Sequence, residues 1–368
     1  MRIMLSGGGT AGHVNPALAI AEGLKRRYPS AEILFVGRLG GNENEAIKKA
    51  GYTVRELKIH GIERRLTAKN LKNLITAIEA EHKAREIIKD FCPDVIVGTG
   101  GYVCWPVLHA AKAMKIPRAI HESNLSPGLV TRLCAKWCNS VLLNHEGTRE
   151  YLEGAKNVKV IGNPIRADFG KITRAEARDS ISLRDDEILI LSFGGSGGSQ
   201  KMNDELITFM QNHSMKIKKI RHIHATGKRY YSNYSHLRSA AASAGCKIAA
   251  YIDNMPTLLR AADIVICRCG AVTLSEIALV GAPSVLIPSP NVTGDHQYKN
   301  GKYLADKGAA VLLCENELTQ KSLAEKIIYL ENNPQERKRL SKCISDFANP
   351  RSADLAIDEI IRIAKKPE

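Results

Sequence analysis

The stretch Met4-Leu-Ser-Gly-Gly-Gly-Thr-Ala-Gly-His-Val-Asn-Pro16 decides how this chain is organised. It reads as a short apolar strand that runs into glycines and then, at Asn15 and Pro16, into a helix over Ala17–Tyr28. Glycines let a ligand approach the backbone, and the start of a helix presents N–H groups and a partial positive charge. We expect this turn to bind an anion, phosphate above all.

The spacing Gly7-x-Gly9-x-x-Gly12 matches the dinucleotide-binding pattern, so a nicotinamide- or flavin-dependent oxidoreductase is one hypothesis. That class usually has an acidic residue after the second strand, whereas here Arg38 stands there. His13 follows the last glycine directly, where an imidazole can act as a base on a bound substrate. A surface histidine near a helix start is the alternative interpretation.

The composition is that of a globular protein with an anionic partner. The 368 residues are enough for two domains, and 44% of them are hydrophobic. There are 53 lysines and arginines against 38 aspartates and glutamates, a net charge of +15. Only 5% are aromatic and no nucleic-acid motif occurs, which favours anionic lipid over nucleic acid. With no apolar window of about 18 residues and no signal peptide, we expect a cytosolic chain.

Nine scattered cysteines without a Cys-x-x-Cys pair predict buried thiols and no metal site. Apolar runs alternate with helical stretches, which predicts parallel, doubly wound α/β sheets. The predicted strands are Arg2–Ser6, Glu32–Gly37, Asp94–Gly98, Arg118–His121, Ser140–Leu143, Val158–Gly162, Ile188–Phe193, His222–Thr226, Lys247–Ile252, Ile264–Arg268, Ser284–Pro288 and Ala310–Leu313. We predict one domain over residues 1–163 and a second over 164–349, with a final helix over about 350–368 that packs back on the first domain.

One stretch combines helical periodicity with basic flanks. Its apolar residues are Leu71, Leu74, Ile75 and Ile78, and the basic residues around them are Arg64, Arg65, Lys69, Lys72, Lys83 and Arg85. The pattern is typical of a helix that faces a core. The alternative is that part of this region rests on an anionic membrane surface.

A block in the second half, Arg268-Cys-Gly-Ala-Val-Thr-Leu-Ser-Glu276, combines a strand end, a glycine turn and a helix start. Thr273 and Glu276 fit a capping box, which is one interpretation. The other is that Glu276 binds both hydroxyls of a nucleotide ribose while the N–H groups of the turn bind pyrophosphate. The polar run over residues 288–300 suits the hydroxyls of a sugar.

Seven motifs occur in order between residue 1 and about residue 315. They are Gly8-Gly-Thr-Ala-Gly-His13, Gly98-Thr-Gly-Gly-Tyr102, His121-Glu-Ser-Asn124, Gly162-Asn-Pro-Ile-Arg166, Gly194-Gly-Ser196, Thr273-Leu-Ser-Glu276 and Asp295-His-Gln-Tyr-Lys-Asn300. Together they resemble the MurG family of glycosyltransferase family 28. The resemblance implies an α/β GT-B fold, in which two Rossmann-like doubly wound parallel-sheet domains face each other across a cleft.

The resemblance also implies a reaction, the inverting transfer of N-acetylglucosamine from UDP-N-acetylglucosamine (UDP-GlcNAc) to the 4-hydroxyl of lipid I, which gives lipid II for peptidoglycan. His13 would be the base and Tyr102 would face the lipid acceptor. The donor-binding residues would be Thr10, Ala11, Gly12, Asn124, Arg166, Ser196, Ile252, Ala271, Val272, Thr273, Leu274, Ser275, Glu276 and Gln297. Because the chain has no Asp-x-Asp, the helix start at Thr273 with Arg268 or Arg166 would replace a metal ion at the diphosphate.

The resemblance implies no cofactor and a peripheral position on the cytoplasmic face of the cell membrane. Its expected partners are UDP-GlcNAc, lipid I, the anionic inner leaflet, and proteins of cell-wall synthesis and division. Three alternatives stay open from the residues: a related GT-B transferase that acts on diacylglycerol, a Rossmann oxidoreductase, and a basic nucleic-acid binder.

Overall fold

The computed structural model describes residues 1–41, 44–59, 68–195 and 197–365, with the backbone alone for residues 11 and 68–75. The expectations for Arg64, Arg65 and Ser196, and for the side chains of Leu71, Leu74 and Ile75, lie outside these residues. Two compact units make up the chain: the first unit is Met1–Arg166 with Asn349–Glu368, and the second unit is Ala167–Ala348.

The first unit is built on one parallel sheet. In the described residues its strands are β1 (Arg2–Ser6), β2 (Glu32–Arg38), β3 (Thr53–Leu57), β4 (Val95–Gly98), β5 (Arg118–Glu122), β6 (Ser140–Leu143) and β7 (Val158–Val160). Its helices are α1 (Ala11–Arg27), α2 (Asn44–Lys49), α3 (Ala68–Phe91), α4 (Cys104–Ala113) and α5 (Leu129–Ala135), with a 3-10 helix at Glu146–Tyr151. The strand order is β3-β2-β1-β4-β5-β6-β7, that of a Rossmann sheet, whose ligands bind where the order reverses, here between β1 and β4.

Alternate residues of the first unit's strands face two different helical layers, as the pleat requires. Ile3 and Leu5 of β1 belong to the core shared with α1, whereas Met4 packs in the core formed with α3, α4 and α5. All three side chains are fully buried. The sheet is therefore covered on both faces, which explains why its strands read as continuous apolar runs.

A helix from the end of the sequence completes the first unit. The helix α14 (Ser352–Ala364) places Ile357 and Ile360 in the core beside α1, and a Cβ at Gly23 would lie 2.5 Å from Ile357. Glu359 of α14 is 2% exposed and ion-pairs with Lys159 of β7. Burial would raise the pKa of Glu359, but hydrogen bonds from Arg362, Lys159, Ser140 and Asn157 outweigh it and lower that pKa to about 2.

The second unit repeats the same plan. Its elements are α6 (Arg174–Ser180), β8 (Ile188–Phe193), α7 (Gln200–Asn212), β9 (Ile220–Ala225), α8 (Arg238–Ser243), β10 (Lys247–Ala249), α9 (Met255–Ala261), β11 (Ile264–Cys267), α10 (Ala271–Val280), β12 (Ser284–Leu286), α11 (His296–Asp306), β13 (Val311–Leu312), α12 (Gln320–Asn332) and α13 (Pro334–Ser345). Short 3-10 helices lie at Ala167–Gly170, Ser214–Lys216, Tyr231–Leu237 and Thr293–Asp295. The parallel order β10-β9-β8-β11-β12-β13 reverses between β8 and β11, so the predicted pair of doubly wound sheets is confirmed.

Two expectations about local structure are wrong. The strand β3 was not predicted, because Thr53–Leu57 lies at the sheet edge with part of its side chains exposed and forms no apolar run. The helix α1 begins at Ala11 and not after Pro16, which lies inside it. Tertiary contacts to the first turn of α1, described below, stabilise a helix start that glycine and proline disfavour on their own.

Candidate active site

The first glycine turn joins β1 to α1 at the point where the strand order reverses. Thr10 is the N-cap residue in an extended conformation, so Gly12 and His13 occupy the first turn of α1. Gly9 has a φ of +89°, which glycine adopts without strain. The backbone therefore brings Thr10, Gly12 and His13 together at the carboxyl edge of the sheet, with helix N–H groups beside them.

The ring of His13 has a defined orientation. Its Nδ1 lies 2.8 Å from the carbonyl oxygen of Gly8, and 3.4 Å from the hydroxyl of Thr10. Because a carbonyl oxygen only accepts, Nδ1 carries the hydrogen, and in the neutral ring Nε2 keeps its lone pair. His13 is half-buried in the first turn of α1. The arrangement makes Nε2 the atom that can take a proton.

The turn that follows β4 packs directly against the first. The N–H of Gly8 donates to the carbonyl of Gly100, 3.3 Å away. A Cβ at Gly100 would lie 2.5 Å from Cδ2 of His13, and one at Gly101 would lie 2.1 Å from the Gly8 carbonyl oxygen. Both glycines have positive φ, +113° and +87°. Tyr102 follows them, 39% exposed, two residues before α4 begins at Cys104.

Asn124 lies beyond β5, which neighbours β4 in the sheet. Its backbone N–H and its side-chain amide both donate to Glu122, at 3.0 and 3.1 Å. The carboxylate of Glu122, 5% exposed, also accepts from the N–H of Gly128 and the hydroxyl of Thr131. Glu122 thus fixes the loop that carries Asn124, a role that sequence reasoning missed although the residue stands in a quoted motif. Arg166 is half-buried and is the last residue of the segment Met1–Arg166, after which the chain enters the second unit.

The predicted nucleotide-binding residues of the second unit lie at the start of α10. Gly270 is the N-cap residue, so Ala271, Val272 and Thr273 form the first turn, and Leu274, Ser275 and Glu276 follow. The capping-box interpretation is therefore wrong, because Thr273 lies inside the helix and no side chain caps it. Glu276 is half-buried one turn below the helix start.

The other donor-site expectations of the second unit fall at neighbouring strand ends. Gln297, in the first turn of α11, accepts a 2.9 Å hydrogen bond from the N–H of Ser289, which fixes its amide group at the loop after β12. Ile252 is buried after β10. Strands β10, β11 and β12 thus bring these residues to the carboxyl edge of the second sheet.

Arg268, at the end of β11, is engaged by protein groups and not presented to a ligand. It is 9% exposed and donates to the carbonyls of Ile287 and Pro288 and to the hydroxyl of Ser199. It also ion-pairs with Glu315. We therefore assign Arg268 a structural role that ties together the loops after β8, β11, β12 and β13. Glu315 was not predicted, since nothing near it in sequence marks it as a partner.

A chain of hydrogen-bonded buried polar groups lies beside the glycine turn that joins β8 to α7. The amide of Asn203 donates to the carbonyl of Thr226 at 2.9 Å, so its oxygen accepts from Nε2 of His224 at 3.1 Å. The hydroxyl of Ser192 then donates to Nδ1 of His224 and accepts from Nε2 of His222, both at 2.8 Å. Each of these hydrogen bonds thus pairs a donor with an acceptor, which offsets the cost of burying the polar groups. Burial lowers the pKa of His224 to about 4 and that of His222 well below its ordinary value.

No helix in the described residues is long and apolar enough to cross a membrane. Within the same residues, no group of three or more His, Cys, Asp or Glu side chains could bind a metal ion. Ile78 of α3 is 61% exposed, whereas Lys83 and Arg85 pair with Glu86 and Glu81.

Comparison with known protein families matches residues 3–143 to the glycosyltransferase family 28 N-terminal domain and residues 189–355 to the glycosyltransferase family 28 C-terminal domain. The first match covers the sheet from β1 to β6, and the second covers β8 to β13 and extends to the start of α14, so each includes the glycine turns of its sheet. The crystal structure of Acinetobacter baumannii MurG is similar to this chain, with a TM-score of 0.75 and 25% identity, and covers 98% of this chain and 99% of the other.

Curated relatives agree with this match. The UDP-N-acetylglucosamine--N-acetylmuramyl-(pentapeptide) pyrophosphoryl-undecaprenol N-acetylglucosamine transferase of Alkaliphilus oremlandii is 37% identical over 341 residues, 92% of this chain and 93% of that protein. The enzyme of the same name from Alkaliphilus metalliredigens is 35% identical over 368 residues, 99% of this chain and 100% of that protein. The chain therefore belongs to the MurG family, within glycosyltransferase family 28.

Proposed function

We propose that this chain transfers N-acetylglucosamine from UDP-GlcNAc to the 4-hydroxyl of the N-acetylmuramoyl-pentapeptide of lipid I. The product is lipid II, the precursor of peptidoglycan, and UDP is released. The observation that carries the proposal is the ring orientation of His13 in a chain of the MurG family. A catalyst for this reaction needs a base at the acceptor hydroxyl and stabilisation of the departing diphosphate.

His13 is the base. Nδ1–H is donated to Gly8, so Nε2 accepts the proton of the 4-hydroxyl as that oxygen forms its bond to C1 of N-acetylglucosamine. The bond between C1 and the diphosphate oxygen breaks, and the electron pair leaves with UDP. Attack on the face opposite the diphosphate inverts C1. Tyr102, exposed beside the Gly100–Gly101 turn, contacts the lipid acceptor.

The second unit binds the donor without a metal ion. The first turn of α10, residues 271–273, offers N–H groups to the diphosphate, with Leu274 and Ser275 directly after it, and the positive end of the helix dipole stabilises the negative charge. Glu276 accepts the ribose hydroxyls, and the backbone of Ile252 pairs with uracil. The remaining donor contacts are Thr10, Ala11, Gly12, Asn124, Arg166, Ser196 and Gln297.

Two variants test the division between base and donor site. We expect His13→Ala to reduce transfer to lipid I to a small residual rate while UDP still protects the protein against heat nearly as well as in the unchanged chain. Glu276→Ala should weaken UDP-GlcNAc binding by about 1.5–3 kcal/mol, the range for hydrogen bonds to a charged group. Equal loss of turnover and UDP protection in His13→Ala would contradict the base assignment. Turnover on diacylglycerol and not on lipid I would contradict the acceptor.

The acceptor lipid requires a membrane surface, and we place the enzyme peripherally on the anionic cytoplasmic face. The first unit offers a suitable helix surface: Leu129 and Leu133, one turn apart on α5, are 52% and 48% exposed. Basic Arg132 and Lys136 lie exposed on the same short segment. Apolar contact and charge together give binding that anionic lipid strengthens. Proteins of cell-wall synthesis and division are the further partners we propose at that surface.

We expect Leu133→Glu to reduce co-sedimentation with vesicles that contain anionic phospholipid by about 10-fold, because it removes apolar area and adds a negative charge. Transfer to a short-chain, water-soluble analogue of lipid I should be unaffected. Tyr329→Glu, which changes an equally exposed apolar residue of the second unit, is the matched control. Unchanged sedimentation of Leu133→Glu would place the membrane surface elsewhere.

A further inference from the structure

The first turn of α1 is less firmly bonded to the rest of its helix than an ordinary helix start. Pro16 has no N–H, so the bond that would run from residue 16 to the carbonyl of Gly12 cannot form. The N–H groups of His13 and Val14 both point to the carbonyl of Thr10, at 3.1 and 3.4 Å. The turn that carries the catalytic base therefore needs support from outside α1.

Thr99, at the end of β4, supplies that support. Its side chain is buried, with the residue 1% exposed, and its hydroxyl lies 2.7 Å from the carbonyl oxygen of His13. The N–H of Thr99 donates to the carbonyl of Ser6 at 2.8 Å. One residue thus joins the end of β1, the end of β4 and the first turn of α1.

Gly7 lies beside the Thr99 hydroxyl and has no side chain that would displace it. A Cβ at Gly7 would lie 2.3 Å from the Thr99 hydroxyl oxygen, so the hydroxyl occupies the space that the absent side chain leaves. Gly100, the next residue after Thr99, lies against the edge of the His13 ring. The backbone carbonyl of His13 is thus fixed by Thr99 and its imidazole by Gly8 and Gly100.

We propose that Thr99 is a positioning residue for the transfer reaction, which fixes the first turn of α1 so that Nε2 of His13 meets the acceptor hydroxyl. The inference rests on the proposed function, since it acts only through the base. The hydroxyl of Thr99 thus contributes to catalysis without contacting either substrate. A base displaced by about 1 Å loses up to about 100-fold in rate.

The test compares Thr99→Val, which keeps the shape and removes the hydroxyl, with Thr99→Ser, which keeps the hydroxyl. We expect Thr99→Val to lower kcat by about 10- to 100-fold while KM for UDP-GlcNAc changes less than about twofold. Thr99→Ser should recover most of the lost kcat. Thr208→Val in α7 is the matched control, because it also removes a hydroxyl that donates to a carbonyl, at 2.8 Å.

A double variant separates positioning from general stability. If Thr99 acts through His13, Thr99→Val should have no further effect on the residual rate of His13→Ala, because effects on one unit of function are not additive. A further loss in that background, or an unchanged kcat in Thr99→Val alone, would overturn the inference. Should Thr99→Val fail to fold, Thr99→Ala replaces it in the same comparisons, with the melting temperature measured throughout. Full activity of His13→Ala would instead overturn the proposed base.

Discussion

The two glycine turns that open the two sheets have the same plan and different surroundings. In the first unit β1 leads through glycines to Thr10 and α1, and in the second β8 leads through glycines to Ser199 and α7. The first turn packs against the glycines after β4 and has a histidine in its helix. The second is fixed by a buried guanidinium, because the hydroxyl of Ser199 accepts from Arg268 at 2.6 Å.

The difference indicates that a glycine turn determines which class of ligand can bind, and that the residues packed around the turn determine which reaction can occur there. In both units the glycines lead into a helix start, a combination that is typical of anion-binding turns. As far as the structure describes the two turns, an imidazole accompanies the first one, where the ring of His13 is oriented by Gly8 and lies against Gly100. Changes around the first turn should therefore alter the rate of transfer, and changes around the second should alter donor binding.

The largest effect should come from Gly100→Ala. The new Cβ would lie 2.5 Å from the His13 ring on a backbone with φ of +113°, so the ring must move. We expect kcat to fall by about 100-fold or more while UDP still protects the second unit against heat. Gly154→Ala is the control, since its φ is +74° but nothing lies within 4 Å of the added methyl group. Normal turnover in Gly100→Ala would remove the distinction between the turns.

A smaller effect, on donor binding and not on the rate of transfer, should follow from Glu315→Gln. It leaves the buried guanidinium of Arg268 without its counter-charge and loosens the loops that it joins. KM for UDP-GlcNAc should rise about 10-fold, with a smaller change in kcat, as measured by steady-state kinetics. Glu336→Gln, which removes an exposed ion pair with Arg339, should change neither. A fall in kcat at constant KM would contradict this prediction, because it would mean that the turn after β8 affects the transfer step and not donor binding.

Acid should have the smallest effect on the comparison of the two turns, because it acts on the stability of both units. Burial lowers the pKa of His121 and His145 in the first unit, and of His224 in the second, to about 4. Between pH 6.5 and 4 the unfolded chain binds protons that the folded chain does not, so stability falls as pH falls, by on the order of 1–2 kcal/mol for each histidine at pH 5. The melting temperature should drop between pH 8 and pH 5.

The exposed residue His236 provides the control for this pH dependence, since His236→Gln should leave the slope of melting temperature against pH unchanged. A melting temperature that is flat over this range would contradict the assignment of the buried histidines as neutral.

The sequence predicts those parts of the fold in which local pattern and burial agree. Strands such as Val95–Gly98 are buried along their whole length, so their apolar runs are unambiguous. The edge strand Thr53–Leu57 lacks that signal. The start of α1 was misplaced because Pro16 suggests a first turn, whereas the contact from Thr99 decides where the helix begins.

Residues of the candidate site could likewise be predicted only where the sequence signal is local. His13 could be found because it adjoins the glycines that define the turn. The pairs Thr99 with His13 and Arg268 with Glu315 join residues 86 and 47 positions apart, and no local spacing encodes them. The capping-box pattern of Thr273 and Glu276 misled for a different, local reason, because the helix begins three residues earlier with Gly270 as its N-cap.

The docking of α14 sets an order of events during synthesis. Its residues Ala356, Ile357 and Ile360 complete the core beside α1, yet they follow the whole of the second unit in the sequence. While the ribosome is still translating, the second unit can close its own sheet, but the emerging first unit keeps part of its apolar face exposed. The first unit can therefore complete its core only after the second unit has been synthesised, and shortening the chain before residue 352 would leave an exposed hydrophobic surface beside α1.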